Sequence, residues 1–158
     1  MKVKNRYYLK KKKLKEIKKD LKEYSSILPE KAKVEYIDVD PYPFILIDGK
    51  PNIILINDKP YPTLKAVLSK DINMKQVVVD MGAVKFMVNG ADVMSPGIVD
   101  TSDDIKEGDT VLIVDETHKK PLAIGISLIS GENMVENTSG KAVNTIHFIG
   151  DDIWNMSV

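Results

Sequence analysis

Between residues 10 and 28 the apolar positions are Leu14, Ile17, Leu21, Tyr24 and Leu28. Spacings that alternate between three and four place all five in one stripe along a helix. The other faces carry Lys11, Lys12, Lys13, Lys15, Lys18, Lys19 and Lys22, next to Lys10, and Pro29 closes the helix. The pattern then changes. Residues 34–39, 42–47 and 53–56 are rich in β-branched and aromatic side chains and predict three strands. Asp48-Gly49 lies between the last two and supplies the positive φ angles of a tight hairpin turn. After Tyr61-Pro62, Thr63 is placed to cap a short helix through Leu68. This half predicts a helix packed on an antiparallel sheet.

Residues 69–74 form a short polar stretch, which predicts two domains, 1–73 and 74–158. Beyond it, strands are expected at 76–79, 92–94, 97–100, 110–114, 122–129 and 145–149, with a small helix near 132–136. Asp80 is placed to cap a helix of one to two turns through Val88, and Asn89-Gly90 ends it with a left-handed turn. Many short strands punctuated by glycine point to a barrel or sandwich. The fold class is therefore α+β: a small amino-terminal α+β domain followed by a mainly-β domain.

Apolar and charged residues make up 43% and 29% of the 158 positions, as in an ordinary globular protein. The chain has no cysteine, so disulfides, thiolate metal sites and thiol catalysis are excluded. No apolar run approaches the ~20 residues needed to cross a bilayer, and no signal-like segment follows the basic start. A cytoplasmic protein without a membrane partner is expected. The net charge of zero hides a division. Residues 1–33 hold 13 Lys/Arg against 4 Asp/Glu, and residues 34–158 hold 10 against 19. One end can thus attract a polyanion, either nucleic acid or an acidic protein surface. Consecutive lysines at 10–13 repel one another by tenths of a kcal/mol per pair, which a counter-anion would relieve.

Little supports catalysis. His118 sits in a polar turn and is expected to be exposed, and neither it nor His147 has a carboxylate at metal-ligand spacing. Asp103-Asp104 and Asp151-Asp152 are adjacent pairs whose side chains point apart, which suits caps and turns. No glycine-rich phosphate loop is present. The chain is expected to be no enzyme and to need no metal or cofactor.

Residues 82–97 stand out. Gly82 lies in the first turn of its helix, where glycine is costly and implies close approach of a backbone or a ligand. Gly90-Ala91 adds a second small surface, Ser95-Pro96-Gly97 a rigid turn, and Lys85 a charge; equally, the segment suits a glycine-terminated helix entering a small barrel. Gly82-Ala83, Gly90-Ala91 and Pro96-Gly97-Ile98 resemble the signature of the PUA domain, an RNA-associated pseudo-barrel. The later stretches 109–111, 122–125 and 140–142, the ending 147–154 and Tyr61-Pro62-Thr63-Leu64 resemble the malignant T-cell amplified sequence family, archaeal type, which is associated with translation.

The resemblance implies binding of structured RNA, ribosomal or transfer RNA, in initiation or ribosome recycling. The small ribosomal subunit and an initiation-factor-like protein are the implied partners, and the protein itself is expected to be a monomer. Carried over, the RNA face comprises Gly82, Ala83, Lys85, Phe86, Asn89, Gly90 and Ala91, with Lys141 and His147, and the lysines at 10–13, 15, 18, 19 and 22 add non-specific attraction. Ser95 stands where the eukaryotic proteins usually have cysteine. Two other readings stay open: an adaptor whose basic helix docks an acidic protein, and an accessory RNA-binding subunit of an RNA-modification enzyme.

Overall fold

The computed structural model describes residues 2–70 and 72–157, and the chain divides into two compact units, Asn73–Trp154 and the remainder. Asp71, inside the expected boundary stretch, lies outside the described residues.

The first unit is an antiparallel sheet of five strands in sequential order: β1 (Asn5–Tyr8), β2 (Val34–Asp38), β3 (Phe44–Ile47), β4 (Lys50–Ile56) and β5 (Lys59–Pro62). Two helices accompany it, α1 (Lys11–Leu21) and α2 (Leu64–Lys70). Their core joins Ile17 and Leu21 of α1 to Val34, Ile45, Ile53 and Leu55 of the sheet. Asp48 and Gly49 have φ of +50° and +81°, the hairpin expected between β3 and β4. Thr63 Oγ1 accepts the Ala66 N–H at 3.2 Å, capping α2.

Three expectations change. The helix ends early: α1 stops at Leu21, and Lys22–Ile27 continue as a 3-10 helix. Tyr24, Ser25 and Ser26 are poor helix formers, and the tighter winding lets Ile27, outside the stripe, share the core with Tyr24. The other two differences are strands. β1 is exposed at all four positions, so it shows no alternation. β5 contains Pro60 and Pro62, which argue against a strand except at an edge, where β5 lies.

The second unit is a nearly closed, barrel-like sheet, the pseudo-barrel that the resemblance implied. Its strands are β6 (Gln76–Val79), β7 (Val93–Met94), β8 (Ile98–Thr101), β9 (Thr110–Asp115), β10 (Pro121–Ser127) and β11 (Lys141–Phe148), in the order β7-β11-β10-β9-β6-β8. β6 runs parallel to β9 and antiparallel to β8. Two short helices, α3 (Met81–Met87) and α4 (Gly131–Glu136), complete it. Val77, Val79, Ile113, Ala123, Met134 and Val143 fill the interior. β11 begins four residues earlier than expected, because Lys141 and Val143 pair with β7.

At Gly125 the register of β10 against β11 shifts, and the strands come very close. A Cβ there would collide with the Val143 side chain and stand 2.8 Å from the Asn144 carbonyl oxygen. Gly125→Ala should therefore destabilise the protein by about 1–3 kcal/mol, the usual cost of overpacking. The expected readout is a lower urea midpoint with unchanged slope, and an unchanged midpoint would show that the strands yield freely.

Candidate nucleic-acid interface

β6 delivers the chain to Asp80, whose Oδ1 accepts the Ala83 N–H at 2.8 Å and starts α3. The Asp80 N–H donates to the Gly97 carbonyl at 2.9 Å, tying the start of α3 to the 3-10 turn Ser95–Gly97. A Cβ on Gly97 would lie 3.2 Å from the Cβ of Ala83, so helix and turn meet through small residues. At the far end, the Gly90 N–H donates to the Met87 carbonyl and the Ala91 N–H to that of Phe86, both at 3.1 Å. β7 then pairs with β11, with Met94 opposite Lys141.

These elements enclose a cleft of about 600 Å³ whose wall includes Ala83, Phe86, Ala91, Met94 and Pro96. Phe86 is 54% and Met94 46% exposed. Large apolar side chains held open in a concavity are the usual mark of a binding site. Three charged residues, Asp80, Asp92 and Lys141, also line it. Lys141 pairs with Asp92 at 3.2 Å, and Lys85 Nζ lies 5.2 Å from the centre of the Phe86 ring, within cation–π range.

Of the expected RNA-face residues, Gly82, Ala83, Phe86, Ala91 and Lys141 line this cleft. Lys85 on α3 and Asn89 in the turn after it are exposed, and the Asn89 amide donates to the Lys85 carbonyl at 3.2 Å. Gly82 needs no close backbone neighbour: an added Cβ would meet only the capping Oδ1 of Asp80, at 3.3 Å. Gly90 serves packing. Its φ is +80°, and a Cβ would stand 2.5 Å from the Phe148 ring. His147 is 1% exposed and does not reach the face. The cleft also contains Asp92 and Met94, which sequence reasoning did not nominate. β7 has only two residues, Val93 buried and Met94 exposed, too few for alternation to be visible. The eight lysines between 10 and 22 lie in the other unit; all are exposed except half-buried Lys18. Lys13 pairs with Glu16 at 3.6 Å, and no other lysine of the set forms an ion pair among the described residues.

The PUA domain model matches residues 75–149, and a domain of unknown function (DUF1947) matches residues 5–70. An uncharacterized protein of Methanocaldococcus jannaschii is 46% identical over 98% of both chains. Translation machinery-associated protein 20 of Schizosaccharomyces pombe is 31% identical over 81% of this chain and 74% of its own. This chain belongs to that PUA-domain family. The malignant T-cell-amplified sequence proteins, the resemblance read from Tyr61 onward, match as well. The crystal structure of a hypothetical protein from Pyrococcus horikoshii superposes with a TM-score of 0.86 at 40% identity, covering 98% of this chain and all of that one. The relatives in translation are named for their association with its machinery.

In this chain, the end of the barrel is held by a pair that spacing did not reveal. His147 Nδ1 donates to Asp151, four residues on, at 2.8 Å to Oδ2. The same carboxylate accepts the Phe148 N–H at 2.8 Å and the Trp154 N–H at 2.7 Å. Burial pushes the Asp151 carboxyl upward, but these hydrogen bonds outweigh it and hold it below the usual carboxylate range. Two groups do not make a metal site, and among the described residues no three His, Cys, Asp or Glu side chains could hold a metal.

A carboxyl whose folded pKa is depressed contributes stability above its unfolded value near 4, and loses it as pH falls through the folded value. Asp151→Ala should cost about 2 kcal/mol at neutral pH, because it leaves a buried imidazole donor unsatisfied. The difference from the parent protein should shrink as denaturation is repeated from pH ~7 toward pH ~3. A pH-independent difference would mean that the pair acts through packing alone.

Proposed function

We propose that the chain binds structured RNA, ribosomal or transfer RNA, through the α3 cleft, acting in the cytoplasm on the translation machinery during initiation or ribosome recycling. The observation that carries this reading is the cleft itself. It holds an exposed aromatic ring, Phe86, with Lys85 above it and Lys141 at the rim, in the unit matched by the PUA domain. A mainly apolar hollow with few cations, one of them Lys141 paired with Asp92, suits an unpaired base and its flanking phosphate better than a helical phosphate backbone. Sequence-specific readers of RNA take unstacked bases onto aromatic side chains in this way. Gly82 and Ala83 leave the floor open, and Asn89 offers a polar contact beside it. The small ribosomal subunit and an initiation-factor-like protein fit this role as partners.

A second reading, as an adaptor or as an accessory RNA-binding subunit of a larger enzyme, is favoured by α1. Lys11, Lys12 and Lys13 occupy its first turn, where the helix dipole disfavours cations, and no acidic residue offsets them there. Such placement costs stability and suits a surface whose charge is used by a partner.

Affinity of the full chain for transfer RNA and for small-subunit ribosomal RNA, measured by fluorescence anisotropy, separates the two. On the first reading, Phe86→Ala weakens binding by about tenfold or more, the value of one stacked base. Lys85→Glu weakens it further at low salt, and the Phe86→Ala effect persists as salt is raised. If Phe86→Ala binds like the parent while replacing Lys10 to Lys13 with glutamine abolishes binding, the RNA merely follows the lysines and the adaptor reading stands. Six lysines on phosphates would lose affinity by about a thousandfold between low and moderate salt.

A further inference from the structure

The first unit has two sheet edges that differ in kind. β5 is blunted by Pro60 and Pro62, which have no N–H to donate, and α1 lies beside it. β1 has neither device. Its four residues are exposed, and among the described residues no strand pairs with its outer side, where the Arg6 N–H donates locally to Asn5 Oδ1 at 3.0 Å. The edges of the second sheet are also protected: β7 has only two residues, and α4 packs beside β8. An open edge offers alternating N–H and C=O groups, a template for another strand.

The side chains of β1 narrow the choice of occupant. Tyr7 and Tyr8 are 46% and 64% exposed, and Tyr7 stacks on Tyr36 with ring centres 5.0 Å apart. Tyr7 borders a cleft of about 230 Å³ that it shares with Leu9, Lys13 and Ile17, and with Asp20 and Asp58. Residues 2–13 contain seven Lys/Arg and no Asp/Glu. Lys4 and Arg6 are neutralised by Asp40 and Glu35 at 2.9 and 2.7 Å, but Lys10, Lys11 and Lys12 have no ionic partner among the described residues. Two copies of this edge would repel each other, whereas a carboxylate-bearing strand would be attracted. A phosphate backbone could not satisfy the carbonyls of the edge, because phosphate oxygens only accept.

We propose that β1 is the docking edge for an acidic protein segment, which adds to the five-stranded sheet as a further strand. Its carboxylates face Lys10, Lys11 and Lys12, and its alternate apolar side chains lie against Tyr7. The proposal is independent of RNA binding by the α3 cleft. The probe is a synthetic eight-residue peptide of alternating glutamate and valine, added to the isotope-labelled full chain while amide exchange is followed by NMR. Exchange should slow by about tenfold or more at outward-facing amides among residues 5–8. Methylating every backbone nitrogen of the peptide keeps its charge but removes its donors, and should weaken binding by about tenfold or more. A peptide alternating lysine and valine should not bind. The proposal fails if the methylated peptide binds as well as the parent, if exchange at residues 5–8 is unchanged at millimolar peptide, or if an oligouridylate displaces the peptide and binds β1 more tightly.

Discussion

The contact between α3 and the turn at Ser95–Gly97 sets the geometry of everything proposed for the second unit. Two constraints meet there. The Asp80 carboxylate must cap the helix, and the Asp80 N–H must reach the Gly97 carbonyl. Ala83 and Gly97 allow both, because their facing surfaces hold a single carbon between them. A helix of seven residues has little stability of its own and depends on such ties. Held at that angle, α3 buries Met87 in the barrel and leaves Phe86 outside. The open aromatic ring follows from how the helix is anchored and is not a loose side chain that failed to find the core. The far end is fixed just as firmly, with Gly90 admitting the edge of Phe148.

Charge follows a separate logic. The lysines cluster on a unit of their own, around a helix whose first turn repels them. In the second unit the cations beside the cleft are two single lysines, Lys85 over a ring and Lys141 against Asp92. On the proposed function, long-range attraction and local recognition fall to different parts of the chain. The first is expected to be sensitive to salt, while the second depends on shape and desolvation.

Much of the fold was legible because it rests on short-range rules. Asp80, Thr63 and Asp48-Gly49 act in the structure as their residue types demand, and the glycine-rich segment around α3 led to the correct family. What stayed hidden was set by long-range partners. β1 is recognisable only once β2 lies beside it, since none of its own residues is buried. The role of Gly90 depends on Phe148, fifty-eight positions away, so a glycine that seemed to make room for RNA makes room for the chain itself. His147 was placed on the RNA face by resemblance, yet Asp151 holds it inside. Met94 joined the cleft unannounced, through a strand too short to carry a pattern.

The central claim is that RNA enters the α3 cleft. Photocrosslinking of the full chain to transfer RNA and to small-subunit ribosomal RNA containing 4-thiouridine, with the attached peptides mapped by mass spectrometry, tests it most directly. RNA in the cleft gives crosslinks at Phe86 and Met94 that survive raised salt. Crosslinks confined to residues 10–22, disappearing as salt is raised, would contradict it.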